Sequence, residues 1–180
     1  MRVIGGIMRG TNLEAPKDKR VRPTTDRIKE DLFNILTPYT TDAITLDLFA
    51  GSGAIGIEAI SRGGEKSYFI DKDRDSLTLV NKNIKKTHCE DRSVVIKKDA
   101  ISFVNSTKEK FDIIFLDPPY KYEKLKNLIE NIIKCDILKH DGILVVEHDK
   151  NIPIEVIDPL KKKRTKEYSL TAMDFFILED

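Results

Sequence analysis

The chain has 180 residues, 34% of them charged and 40% hydrophobic, with a formal net charge of +1. That length suits one domain with a sizeable core, and no apolar run is long enough to predict a membrane span. Met1 to Gly6 lacks the apolar block of a secretory signal, and Cys89 and Cys135 make neither metal-ligand spacing nor a disulfide framework, so a reduced, cytoplasmic protein without a bound metal is expected.

Residues Val3–Ile7 and Thr11–Leu13 flank Met8-Arg9-Gly10, which predicts a short hairpin with an arginine at its tip. A polar, basic, proline-bounded stretch from Pro16 to Pro23 follows and is expected to be a surface loop. Thr24, Thr25 and Asp26 then offer helix N-caps before Ile28, Leu32, Phe33, Ile35 and Leu36, which recur at helical spacing. Through Lys29 there are eight basic and three acidic residues, a local charge of +5 on a chain whose total is +1. Charge is therefore concentrated at the front, as either a solvated loop or a phosphate-binding arm.

From Ala43 onward strand and helix alternate. Leu46 to Gly56 runs from an apolar strand through Gly51-Ser52-Gly53 into an amphipathic segment, and its G-x-G-x-x-G spacing is the dinucleotide fingerprint. Glycine at 51 and 53 permits a sharp bend and close ligand approach, and Gly56 permits close helix–strand packing. The next strand, Ser67–Ile70, ends in Asp71, about twenty residues after the glycines, where a ribose-binding carboxylate sits in such folds. Val94–Ile96 leads to Asp99, and Phe111–Leu116 leads to Asp117. Helical faces follow each acid, at Leu77, Val80 and Ile84, at Ile101, Phe103 and Val104, and at Leu125 to Ile133. The turn Lys139–Gly142 precedes a buried strand, Ile143–Glu147; Ile152–Ile157 and Asp174–Leu178 are expected as two more strands, with the basic run Lys161–Arg164 between them. The pattern predicts an α/β, doubly wound, mostly parallel seven-stranded sheet with an antiparallel C-terminal strand. Residues 1–40 would be a hairpin–loop–helix extension of one domain whose core is 41–180.

In an open α/β sheet ligands bind at the carboxyl ends of the strands, so Asp47, Asp71, Asp99 and Asp117 could converge on one crevice. The segment Asp117-Pro118-Pro119-Tyr120 has its own chemistry. Two prolines fix the backbone and remove two amide donors, which leaves carbonyls exposed as acceptors on a stiff segment. Asp117 and the Pro118 carbonyl can accept both N–H bonds of a planar amine, and Tyr120 can stack on its base. That directs the amine's lone pair at an electrophile, with orientation doing most of the work. A cationic sulfonium supplies such an electrophile and suits an acid-lined crevice, whereas a pyrophosphate does not.

On these residues the chain resembles the RsmD family of 16S ribosomal RNA guanine-N2 methyltransferases, over essentially its whole length. The resemblance lies in Arg2–Gly6 with Arg9-Gly10, Arg22-Pro23-Thr24-Thr25-Asp26-Arg27 followed by Leu32-Phe33-Asn34, Leu46–Gly53, Glu58-Ala59 with Ser61-Arg62-Gly63, and Asp117–Tyr120. It implies a Rossmann-like class I methyltransferase using S-adenosyl-L-methionine, bound by Asp47, Phe49, Ala50, Gly51, Ser52, Gly53, Asp71, Asp99, Ala100 and Asp117. Asp117, Pro118, Pro119 and Tyr120 would position the amine. Ribosomal RNA, free or in an assembling small subunit, would lie on Arg9, Arg20, Arg22, Thr24, Thr25 and Arg27, with no obligate protein partner. Two positions depart from the family's pattern: Asp71 stands where Glu is common, and Ser169 stands where Gly is usual, which would strain the turn if positive φ were needed there.

Other functions compete with this one. An adenine-N6 DNA methyltransferase also carries Asp-Pro-Pro-Tyr, but this chain has no length for a sequence-reading domain. A non-catalytic S-adenosylmethionine or nucleotide binder has no use for that segment, and neither has an NAD dehydrogenase. His88, His140 and His148 do not form a site. Glu147 is expected either to line the crevice or to cap its strand.

Overall fold

The computed structural model describes residues 1–16 and 25–179; Arg20, Arg22 and Thr24 lie outside them. Helix α1 (Asp26–Thr40) begins where the Thr25 hydroxyl accepts from the Ile28 amide at 3.3 Å, so Thr25 is its N-cap. It buries Lys29, Leu32, Phe33, Leu36 and Thr40, one face at helical spacing. Then come β1 (Ile44–Asp47), α2 (Ala54–Ser61), β2 (Lys66–Asp71), α3 (Arg74–Thr87), β3 (Ser93–Lys97) and α4 (Ala100–Val104). The chain ends with β4 (Phe111–Leu116), α5 (Leu125–Lys134), β5 (Leu138–Asp149), β6 (Leu160–Glu167) and β7 (Thr171–Leu178).

The seven strands form one sheet in the order β3-β2-β1-β4-β5-β7-β6. The first five are parallel, while β7 runs antiparallel between β5 and β6. This is the doubly wound, mostly parallel sheet expected from the pattern, in the class I methyltransferase arrangement that the resemblance implies. One face packs Leu46, Ile114 and Leu116 against α4 and α5, and the other packs Ile113 and Phe115 against α1 and α2. Alternate residues of β4 thus face opposite layers, which is why Ile113 to Leu116 reads as continuously apolar. Strand order reverses between β1 and β4, so the crevice of the sheet opens where Asp47 ends β1 and Asp117 follows β4. Helix α2 lies close on β2 because Gly56 has no side chain: a Cβ there would stand 2.3 Å from the Phe69 ring.

Three expectations are corrected. Ile152–Ile157 forms no strand; the strand is the basic run itself, β6. Charge is compatible with that position because β6 is an edge, whereas Pro153 interrupts the apolar stretch. Lys139–Gly142 is not a separate turn but lies inside β5, bulging out of register between the Phe111–Leu138 and Ile113–Ile143 pairs. The N-terminal hairpin is reduced to one antiparallel bridge, Arg2 to Asn12, with Arg9 exposed at its turn.

That hairpin is fastened to α2 by a buried polar network. Glu58 Oε2 accepts from the Ile4 amide at 2.9 Å and lies 3.2 Å from Lys29 Nζ, while Oε1 accepts from the Gly5 amide and from Arg62 Nε, both at 2.8 Å. Both Lys29 and Glu58 side chains are fully buried. Burial lowers the Lys29 pKa while the Glu58 charge pulls it back up, and Lys29 Nζ also donates to the Arg2 carbonyl. Ser61 Oγ donates to the Gly5 carbonyl at 2.6 Å and accepts from the Met8 amide at 2.9 Å. Gly6 is required by this contact: its φ is 76°, and a Cβ would fall 1.7 Å from the Ser61 carbonyl oxygen.

Candidate active site

A cavity of about 1580 Å³ opens over the carboxyl edge of the sheet. The loop after β1 forms one wall, with Asp47, Phe49, Ala50, Gly51 and Ser52 lining it. Gly51 and Gly53 both adopt positive φ, 55° and 79°. Gly53 lies outside the lining, however; it is the N-cap of α2 and turns the loop into the helix. Asp71 contributes from the end of β2. Its Oδ2 accepts from the Gly51 amide at 3.1 Å and its Oδ1 from the Asp73 amide at 2.9 Å, so the shorter acid is drawn onto the glycine loop. Asp99 and Ala100 line the cavity at the start of α4, where Asp99 caps the helix by accepting from the Ser102 amide at 3.0 Å.

Asp117, Pro118, Pro119 and Tyr120 line the same cavity from the loop that follows β4. Tyr120 is 65% exposed, with its ring available for stacking. The acids of the floor are held under electrostatic stress. Burial lifts Asp47 to about 7, opposed by the Phe49 amide and assisted by the Asp71 charge. Asp117 is raised well above the usual carboxylate range, first by burial and then by the charges of Glu147 and Asp47. The pairing of Leu116 with Val146 explains the proximity, because it places the following residues, Asp117 and Glu147, side by side on adjacent strands. A floor of this kind favours a cation.

Two tyrosines went unnoticed in the sequence. Tyr122 packs edge-on against Phe49, ring centroids 5.2 Å apart, and burial together with the Asp99 charge raises its pKa. Tyr168 lines the cavity from the turn between β6 and β7, and burial, Asp31 and Glu147 push it up to about 12. Tyr122 is signalled only by its distance of two residues from Tyr120, and Tyr168 only by its place beside Ser169. Asn83, on the Val80–Ile84 face of α3, was also missed. It accepts from the Glu14 amide at 2.8 Å and donates to the carbonyls of Glu14 at 3.0 Å and Ser52 at 2.9 Å, tying the N-terminal segment to the glycine loop. Ser169 has no positive φ, so the departure there carries no backbone strain.

The candidate nucleic-acid residues divide. Thr25 and Arg27 are exposed at the mouth of the cavity, and Arg9 is exposed on the hairpin turn outside its lining. The basic strand β6 is largely engaged within the protein: Lys162 meets buried Asp174 at 2.7 Å, Lys166 meets Asp31 at 3.5 Å, Lys161 meets Glu179 at 3.6 Å, and Lys163 donates to the Tyr39 hydroxyl at 3.0 Å.

The family described as "Conserved hypothetical protein 95" matches residues 1–177. The chain belongs to that family. It is 39% identical over 180 residues to "Putative rRNA methyltransferase YlbH" of Bacillus subtilis, covering 98% of both chains. It is 34% identical over 157 residues to "Ribosomal RNA small subunit methyltransferase D" of Haemophilus influenzae, covering 86% of this chain and 81% of that one. Among solved structures, "Putative methyltransferase yhhF" from Escherichia coli superposes with a TM-score of 0.90 at 33% identity, covering 99% of this chain and 98% of that chain. A more distant structure, "SMU.776, a putative methyltransferase complexed with SAH", shares the fold at a TM-score of 0.70 and 14% identity, covering 83% of this chain and 48% of that one.

Proposed function

We propose that this protein is an S-adenosylmethionine-dependent methyltransferase acting on the exocyclic N2 of a guanine in 16S ribosomal RNA, as one cytoplasmic unit whose residues 1–40 serve as an RNA-binding extension. The observation that carries the reading is that Asp117–Tyr120 and the glycine loop line one cavity, with Tyr120 exposed. The relatives named for ribosomal RNA methylation support the substrate class.

The acidic floor and the glycine loop fit the methyl donor. Its methionyl and ribosyl parts would lie along Asp47, Gly51, Asp71 and Asp99, and when bound it supplies an electrophilic methyl group. A cation in the cavity opposes the effect of burial and favours the ionised, accepting form of Asp117. Asp117 and the Pro118 carbonyl then hold the two amine protons, and Tyr120 stacks on the base, which orients the nitrogen lone pair. The proton shed after transfer leaves along the hydrogen bond to Asp117. A base inside a helix cannot reach this cavity, so the target lies in a loop or is flipped out of its stack. Arg9, Arg27, Thr25 and the undescribed Arg20, Arg22 and Thr24 would contact the phosphates.

Incubation with radiolabelled S-adenosylmethionine and separated ribosomal RNAs, followed by mass spectrometry of the nucleosides, tests this reading. N2-methylguanine in the small-subunit RNA is expected; N6-methyladenine, or label only in DNA, removes the guanine assignment. Asp117→Ala should slow transfer at least about a hundredfold while donor binding persists in calorimetry. Gly51→Val should abolish donor binding in a folded protein, and unchanged affinity there removes the cofactor assignment.

A further inference from the structure

An Asp-Pro-Pro-Tyr holder accepts either purine amine. The two bases differ at the ring nitrogen beside that amine: N1 of guanine carries a proton next to N2, whereas N1 of adenine, next to N6, is a bare acceptor. A protein that selects guanine therefore needs an acceptor beside the amine holder, and one residue is built into that place. Leu116 and Val146 pair in parallel register on strands about 5 Å apart, so Asp117, the first residue after β4, and Glu147, within β5, follow next to each other. Asp117 leaves the sheet there to form the holder, while Glu147 is still within β5, fixed on its other side by pairing with Met173 of β7. Both line the cavity.

We infer that Glu147 selects guanine, its carboxylate accepting the N1–H of the target base while Asp117 and the Pro118 carbonyl hold N2. The inference rests on the guanine-N2 reading given above. Two further observations support it. Among the charges acting on Asp117, that of Glu147 is the largest, ahead of Asp47. Tyr168, which lines the same cavity, also feels the Glu147 charge, so the carboxylate acts on more than one part of the site. An ionised carboxylate has no proton to offer, and an adenine in the same pose would turn the N1 lone pair against it. A site built around a substrate N–H rejects an analogue that lacks it far more strongly than an apolar pocket rejects a change of size.

The test uses an RNA in which 2-aminopurine replaces the guanine that the wild-type protein methylates, since 2-aminopurine keeps the amine but has a bare N1. The wild-type protein should methylate the guanine substrate with a kcat/KM at least about tenfold higher. In Glu147→Gln an amide N–H can turn toward the bare N1, so the ratio should fall toward one. Glu147→Asp keeps an acceptor and should preserve the preference at a lower rate. Calorimetry with S-adenosylhomocysteine should give the same affinity for all three proteins, which certifies the fold independently of activity. Equal use of both purines by the wild-type protein, or an unchanged ratio in Glu147→Gln, overturns the role of Glu147 and leaves guanine methylation standing. N6-methyladenine as the wild-type product instead overturns the guanine reading, and the inference with it.

Discussion

Glu58 and Asp117 are both acids enclosed by the same sheet and its helices, but their surroundings are opposite. Glu58 is saturated: two backbone amides, Arg62 and Lys29 share its two oxygens. Asp117 finds no hydrogen-bond donor among the described residues, and the charges that raise its pKa are those of two other acids, Glu147 and Asp47. A carboxylate that already has its donors is a fastener, and nothing about it changes when a ligand arrives. An acid among acids holds unfavourable electrostatic energy that an incoming cation or N–H group relieves. The difference locates function: the brace fixes where the cavity's walls stand, and the floor keeps its hydrogen-bonding capacity for what enters.

Breaking the brace should have the largest effect. Glu58→Ala leaves Lys29 buried without its counter-charge and two amides without an acceptor, and should cost at least about 3–5 kcal/mol in urea unfolding. An unfolding midpoint equal to the wild type would show that the N-terminal segment is not fastened through Glu58. The floor should respond to pH instead. Asp47 titrates at about 7 in the fold against 3.8 as a free side chain, so the folded state binds its proton more tightly. Its contribution to stability is therefore complete below about pH 4 and is lost as pH rises through 7. From pH 5 to pH 8 the ligand-free wild type should lose about 3 kcal/mol more than Asp47→Asn does, measured by denaturant titration at each pH. Parallel pH profiles would mean that Asp47 is not held protonated.

Asn83 joins the two regions. Asn83→Ala removes one acceptor and two donor contacts from a buried position and should cost about 1–3 kcal/mol. It should also weaken donor binding, because the Ser52 carbonyl loses its tether; an unaffected donor affinity would separate the brace from the loop. The smallest effect on stability belongs to Arg9→Ala, within about 0.5 kcal/mol for an exposed turn residue. That variant should bind RNA less tightly, with the salt slope reduced by about one; an unchanged slope would leave Arg9 as solvated surface.

Most of the architecture is legible in the sequence because β1, β2, β4 and β5 are largely buried strands with recognisable apolar runs. The failure at β6 has a physical cause. An edge strand needs only one bonded neighbour and keeps its outer residues in water, so Lys161 to Arg164 satisfy it while looking like a loop. Ile152–Ile157 has the opposite character, apolar enough to suggest a strand but spent on bordering the cavity, with Ile152 66% exposed. In the candidate site, the glycine loop and Asp117–Tyr120 are local motifs and can be recognised directly. Tyr168 and Asn83 depend on segments far apart in the chain meeting in space, which periodicity cannot express. Glu58 stood within a recognised motif, but its role as the fastener of the hairpin needed Ile4, Gly5 and Lys29 brought beside it.

The insertion of β7 between β5 and β6 also sets an order of assembly. Strand β6 bonds only to β7 in the sheet, yet it precedes β7 in the chain, so during synthesis eight residues emerge whose partner does not yet exist. Five of the eight are basic, and mutual repulsion discourages this waiting strand from pairing with another nascent chain. Once Thr171–Leu178 follows, the three-residue turn Tyr168–Leu170, closed by the Tyr168 amide bonding to the Thr171 carbonyl at 2.8 Å, makes the pairing local and fast. Strands β6 and β7 can then dock on β5 as a single hairpin, covering its edge in one step.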